Sequence, residues 1–314
     1  MNDQPQSAAP PLISPDDFAM VADLLKRMTG IHIGGNKRAM VSGRLAKRLK
    51  ALGIGSVDAY CTWLQQPGNA TEQDAFISAL TTNMTRFNRE DHHFTHLADR
   101  ILPNLAAAAR AGRRVRLWSA ACSTGEEAYD LAFRTLDACP EAARLDLRIL
   151  ATDIDKAALE IARAGAYPAS SLTDLPAGYA ERHLDRGAGR NGMVRVAQAP
   201  RDLITFRCLN LNGEWPFHGG FDVIMCRNVT IYFDDDTQAR LWQRLADRIA
   251  PGGALYVGHS EMLPEPIARR FTQQERGAFC LPRDVSPDPA HRRADVPPLK
   301  TTGARRPDSN GALG

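Results

Sequence analysis

Residues 115–139 read VRLWSAACSTGEEAYDLAFRTLDAC, and the meaning of this stretch decides the fold. VRLWSA is a short, mainly apolar run, as expected of a strand buried on both faces. AACSTG then offers only small side chains, and EEAYDLAFRTLDAC opens with two acids and spaces its apolar residues as a helix does. Strand, tight turn and helix in that order make the first unit of a parallel sheet. LRILATD (147–153), FDVIMCR (221–227) and ALYVGHS (254–260) repeat the strand pattern, separated by helical stretches such as DTQARLWQRLADRIA (236–250). The expected fold is α/β, a doubly wound and mostly parallel sheet.

Working outward, SPDDFAMVADLLKRMTG (14–30) carries a cap, an early proline, early acids, a 3.6-residue apolar pattern and a closing glycine, the signature of a helix. Helical patterns follow at 36–52, 56–66 and 71–82, so residues 15–95 are expected to form an all-helical domain, with the sheet domain at 96–281. Within the latter, RGAGRNG, MVRVAQ and LITFRCL break the rhythm, and residues 168–207 are expected to be a small antiparallel insertion. The first 14 residues and the tail 282–314, with six prolines, three glycines and no aromatic residue, are expected to be disordered.

The chain has 314 residues, 44% hydrophobic and 24% charged, which excludes disorder throughout. No apolar run approaches the roughly 18 residues of a membrane span, and MNDQPQSAAPPLIS is no secretion signal, so the expected location is the cytoplasm, without membrane insertion. Six scattered cysteines with no C-x-x-C pair indicate neither a zinc site nor a disulfide framework. A net charge of +3 discourages a dedicated nucleic-acid binder. That sum conceals an asymmetry, because residues 21–60 hold eight Lys and Arg against two acids.

In a doubly wound sheet, ligands bind beyond the carboxyl ends of the strands. The turn Ser119–Glu127 has the small residues that let a ligand approach the backbone, although G-x-G-x-x-G is absent. Glu126 and Glu127 can simply suit the helix dipole, but they would also repel a pyrophosphate and attract a sulfonium. This points away from NAD and toward S-adenosylmethionine. Asp153, 28 residues after Gly125, stands where ribose hydroxyls are bound, and Asp155 stands where the next helix needs a cap; either acid can fill either role, and the assignment preferred is Asp153 to the ribose. Arg227, Asn228 and Tyr232 follow another strand at the same edge.

The stretch TTNMTRFNRE (81–90), the WSAACSTGEE turn, ATDID (151–155), Asn210-Leu211, CRNVTIYF (226–233) and GHSE (258–261) together resemble the chemotaxis receptor methyltransferases (CheR), in order and spacing, over residues 15–281. The resemblance implies a Rossmann-like S-adenosylmethionine methyltransferase domain. It implies transfer of the methyl group to glutamate side chains on chemoreceptor cytoplasmic helices, leaving S-adenosylhomocysteine. It further implies cofactor contacts from Asn83, Thr85, Arg89, Glu127, Asp153, Asn210, Leu211, Arg227 and Asn228. Arg89 would also lie near the incoming carboxylate, and Tyr232 would flank the methyl group. The family usually has Phe at Asn88, Pro at Ala128, and Leu or Met at Thr230, so two polar departures fall close to the site.

A glutamate carboxylate is already ionised at neutral pH, so no general base need be found. In NKRAMVSGRLAKRLKAL (36–52), Val41, Leu45, Leu49 and Leu52 share an arc of about 80°, and Lys37, Arg44, Lys47 and Arg48 the adjacent arc of about 100°. A solvated surface helix is the simplest reading of these cations. Docking of an acidic receptor surface is the expectation that goes with the resemblance. Gly187-Ala188-Gly189, in the inserted segment, resembles the pattern of members that bind a receptor tethering peptide, which would add a strand there.

Other signals are weaker. GHSEM (258–262) half-matches a nucleophile elbow, but Met262 replaces the second glycine and only His291 follows it. His92, His93 and His96 lack a matching distant ligand, so no metal is expected. A basic helix is also compatible with RNA, but no aromatic residues interleave it. A cofactor-binding adaptor without turnover is the non-catalytic alternative that Asn88 and Thr230 keep open.

Overall fold

Ser14 starts the first helix: its hydroxyl accepts the Asp17 N–H at 3.0 Å, and Pro15 needs no donor in the first turn. This helix is α1 (Pro15–Thr29) in a computed structural model that describes residues 12–185 and 192–283. After it come α2 (Arg38–Leu52), α3 (Val57–Leu64) and α4 (Ala70–Leu80). Val21, Leu25, Val41, Leu45, Tyr60 and Phe76 join them in a core of their own. Phe87 and Phe94, which the sequence reading grouped with this helical domain, bury instead in the core beneath the sheet. Phe94 lies on α5 (Asp91–His96), which continues into α6 (Leu102–Arg110).

The main sheet contains β1 (Val115–Ala120), β2 (Leu147–Asp153), β6 (Ile204–Cys208), β7 (Phe221–Cys226), β8 (Ile249–Val257), β9 (Thr272–Glu275) and β10 (Ala278–Cys280). Their order is β6-β2-β1-β7-β8-β10-β9, with the first five parallel and the last two antiparallel. Neighbouring strand residues point to opposite faces. Leu117, Val223 and Tyr256 therefore pack with α7 (Glu126–Ala138) and α8 (Lys156–Ala164) on one side. Trp118, Ile224 and Leu255 pack with α11 (Asp235–Ala246) on the other.

A smaller antiparallel sheet has the order β3-β5-β4, from β3 (Ala166–Pro168), β4 (Leu184–Asp185) and β5 (Met193–Val196). The inserted segment was expected to include LITFRCL, and here the structure differs. After α9 (Tyr179–His183) and α10 (Gln198–Leu203), β6 returns to the main sheet and pairs in parallel with β2, Ile149 opposite Ile204. Ile204 and Phe206 bury in the main core, which is why this strand sits there. Gly187-Ala188-Gly189 and most residues of the two terminal segments lie outside the described residues. The short α12 (Glu265–Ala268) is the last helix among the described residues, where no helix is long and apolar enough to cross a membrane.

Candidate active site

The turn after β1 holds its shape through small residues in unusual backbone. Ala121, Ser123 and Gly125 have φ of 67°, 50° and 100°. A Cβ on Gly125 would stand 2.8 Å from the Ala162 Cβ, so only glycine lets α7 begin this close to α8. The Ser123 N–H donates to Asp153 Oδ2 at 2.7 Å and the Asp155 N–H to Asp153 Oδ1 at 2.8 Å, which fixes the carboxylate at the end of β2. Asp155 caps α8, accepting from the Ala157 and Ala158 N–H groups. It also accepts from Ser78, Thr81 and Asn83, and so ties the end of α4 to the sheet.

Beyond these strand ends lies a cavity of about 310 Å³. Asn83, Thr85, Arg89, Glu127, Asp153, Asn210, Leu211, Arg227, Asn228 and Tyr232 all line it, so one space gathers every residue assigned to the cofactor or the reacting methyl group. Lys37 lines it too, its Nζ 5.4 Å from the centre of the Tyr232 ring. Arg44, Lys47 and Arg48 do not. Arg44 Nη1 donates to the Ala79 and Thr81 carbonyls at 3.2 and 2.8 Å, and Arg48 is paired with the buried Glu72. Lys47 is exposed. The cationic arc of α2 is thus partly internal bracing.

Arg227 is buried at the cavity's inner wall. Its Nη1 donates to Glu127 Oε2 at 3.2 Å, its Nη2 donates to the Arg89 carbonyl and lies 3.4 Å from Glu90 Oε2, and Phe94 lies 5.3 Å from its guanidinium carbon. Arg227 Nε is buried without a hydrogen-bond partner. Burial raises the Glu127 carboxyl, offset in part by Arg227 and by the Ser119 hydroxyl, which donates to it at 2.7 Å. Burial likewise lifts Asp153 to about 6, against its backbone donors, and lifts Asp130, also on the cavity wall, to about 8. The cavity therefore holds carboxyls that a cationic ligand would help to ionise. Of the two acids opening α7 only Glu127 lines it; Glu126 turns aside, accepting from the Thr124 hydroxyl at 2.6 Å.

Two further acids organise the site and escaped the sequence reading. Glu90 Oε1 accepts from Asn228 Nδ2 at 3.3 Å and lies 2.8 Å from His259 Nδ1. Burial pushes this carboxyl upward, but the His259 contact and the Arg227 charge outweigh it and hold it down at about 2. Glu261 accepts from the N–H groups of Asn228, Val229, Thr230 and Gly258, all at 2.7–2.8 Å, and clamps the loop after β7. Both acids stood inside motifs already singled out, Glu90 beside Arg89 and Glu261 in the elbow-like GHSEM. Only their partners in distant loops reveal what they do.

The polar departures also find structural reasons. Asn88 has φ 52°, a conformation asparagine tolerates, and its side chain accepts from Arg134 at 3.0 Å. Thr230 is buried, its hydroxyl donating to Glu261 at 2.9 Å. Neither lines the cavity. His93 Nε2 lies 2.9 Å from the Arg276 carbonyl and His96 Nδ1 lies 2.9 Å from the Tyr256 hydroxyl, so both are held in packing.

Two family models match the chain: "CheR methyltransferase, all-alpha domain" over residues 16–81 and "CheR methyltransferase, SAM binding domain" over residues 83–278. A Rhizobium etli protein named "Probable chemotaxis protein methyltransferase" is 46% identical over 233 residues, 74% of this chain and 87% of that protein. "Chemotaxis protein methyltransferase 2" of Pseudomonas aeruginosa is 43% identical over 251 residues, 78% of this chain and 86% of its own. "Chemotaxis protein methyltransferase" of Escherichia coli is 38% identical over 274 residues, covering 87% and 93% respectively.

Proposed function

The chain belongs to the CheR methyltransferase family, and from that membership we propose how its residues serve one reaction, methyl esterification of glutamate side chains on chemoreceptor cytoplasmic helices. It is an S-adenosylmethionine-dependent methyltransferase of chemotaxis. The observation that carries the reading is the convergence of ten residues, predicted from five separate segments, on one cavity walled by carboxylates and arginines. When bound there, S-adenosylmethionine supplies a methyl group on a sulfonium, and S-adenosylhomocysteine remains.

The cavity suits that group. Its amino acid end carries both charges, which Glu127 and Asp130 on one hand and Arg89 and Arg227, with its unpartnered Nε, on the other can meet. Asp153 would accept from ribose hydroxyls, with Asn83, Thr85, Asn210, Leu211 and Asn228 completing the cradle. Arg89 would orient the incoming carboxylate and Tyr232 would flank the methyl group. Nothing needs to remove a proton, because a glutamate is ionised before it arrives. The chain's task is to align the carboxylate oxygen and exclude the water that would solvate it.

Of the cations on α2, Lys47 is the one best placed to meet an acidic receptor surface, with Lys37 nearer the cavity; Arg44 and Arg48 would chiefly hold the helix in place. A receptor tail peptide would add a strand to the small β3-β5-β4 sheet, whose outer strands are short. The reaction would take place in the cytoplasm, where those receptor helices are.

Incubation with labelled S-adenosylmethionine and chemoreceptor membranes should put base-labile label on the receptor. Label on RNA, or a base-stable product, would overturn the ester reading, and cofactor binding without turnover would favour an adaptor. Lys47→Glu should impair receptor methylation while leaving S-adenosylhomocysteine affinity unchanged; equal loss of both would make the helix purely structural.

A further inference from the structure

A glutamate's carboxyl carbon lies only about 4 Å from its own Cα, by ordinary bond lengths. A carboxylate that reaches into the cavity therefore brings the backbone carrying it down onto the cavity's rim. The chemistry of that rim then faces the residues on either side of the glutamate.

Single exposed apolar side chains are ordinary on protein surfaces, but three of them are carried by segments that line or brace this cavity. Met84 lines the cavity and is 83% exposed; its carbonyl accepts from Arg89 Nη1 at 3.0 Å. Ile231 is 48% exposed and adjoins Tyr232. Met262 is 84% exposed and adjoins Glu261, whose carboxylate also accepts from the Thr230 N–H next to Ile231. Met84 and Met262 are the two most exposed large apolar side chains among the described residues.

We propose that Met84, Ile231 and Met262 form an apolar rim that receives the substrate helix on either side of the glutamate to be methylated. This rests on the methyltransferase reading above. On a helix, residues three and four positions from the glutamate lie on its face and would meet the rim, so the favoured substrate carries apolar rather than charged side chains there. Two methionines and an isoleucine, with no aromatic ring among them, make an adaptable surface able to accept several sequence contexts. Attraction then belongs to Lys47 and Lys37, and the choice of glutamate to the rim.

The test is the double variant Ile231→Gln, Met262→Gln, since neither side chain lines the cavity. Initial rates are measured against chemoreceptor membranes of increasing receptor concentration, S-adenosylhomocysteine binding by calorimetry, and oligomeric state by sedimentation. The receptor KM should rise roughly tenfold, with kcat and S-adenosylhomocysteine affinity changed less than about twofold. An unchanged KM overturns the rim, as does an equal loss of S-adenosylhomocysteine affinity, which would mean the loop has moved. A dimer that becomes a monomer in the variant would assign these side chains to self-association and overturn the rim as well. If the unaltered protein methylates no receptor at all, it is the functional reading that falls.

Discussion

The two ends of the same parallel strands follow opposite rules. At the amino end, Arg113 pairs with Asp222 at 2.7 Å and Arg116 with Asp146 at 2.5 Å, arginines that reach toward water on ordinary backbone. At the carboxyl end, Arg227 is buried between Glu127 and Glu90. The five non-glycine residues with positive φ among those described, Asn88, Glu90, Ala121, Ser123 and Asn228, all lie in loops at or against that end. Strained backbone destabilises a fold by on the order of 1–3 kcal/mol per residue, and a desolvated charge by several. The strained backbone gathers where a ligand is to be held and is absent where the sheet merely ends, and the one buried acid of that pair of ion pairs, Asp222, is met there by a half-exposed Arg113.

The largest effect that would break this contrast comes from removing the central cation. Arg227→Met leaves the Glu127 and Glu90 carboxylates, only 14% and 11% exposed, without it and should cost about 3–5 kcal/mol in denaturant unfolding. Arg116→Met, at the other end, should cost less than about 1 kcal/mol. Equal costs would erase the distinction. Next, Asp153→Ala should weaken S-adenosylhomocysteine binding by about 1–3 kcal/mol in calorimetry, and Asp146→Ala should not weaken it. Unchanged affinity in Asp153→Ala would refute the ribose assignment.

The smallest effect is one of pH. Asp153 titrates near 6 because burial raises it, so it gains a proton, and loses acceptor capacity, as pH falls through that value. Between pH 7.5 and 5.5 the affinity for S-adenosylhomocysteine should drop roughly fourfold. Affinity that holds or improves on acidification would show that this carboxylate is not the acceptor.

The strand and helix rhythm was legible because burial on both faces leaves a plain mark on sequence. β9 left none: TQQE is exposed throughout and owes its place to pairing with β10. LITFRCL was misplaced because the insertion before it interrupts the rhythm, and nothing local says that Ile204 will lie opposite Ile149. The residues assigned from the sequence to cofactor and methyl group share one cavity, but their partners within the fold were not legible. Arg48 looked free on a helical wheel, and only the fold brings Glu72 to it. Glu90 and Glu261 stood inside conspicuous motifs, yet their roles were hidden because donors they serve lie on other loops.

One wall of the cavity comes from Thr29–Met40, far from the strands that form the rest. The His32 N–H donates to the Tyr232 carbonyl at 2.8 Å, Asn210 Nδ2 to the Met28 carbonyl at 2.9 Å and Asn212 Nδ2 to the Thr29 carbonyl at 2.8 Å. Asn210 and Met28 are 182 residues apart, among the most distant pairings in the fold. Such closures tie the first helix and the residues just after it to loops that follow strands much later in the sequence. The pocket is thus closed by contacts contributed from the start of the chain, so any local opening of that segment would uncover one side of it and lower ligand affinity.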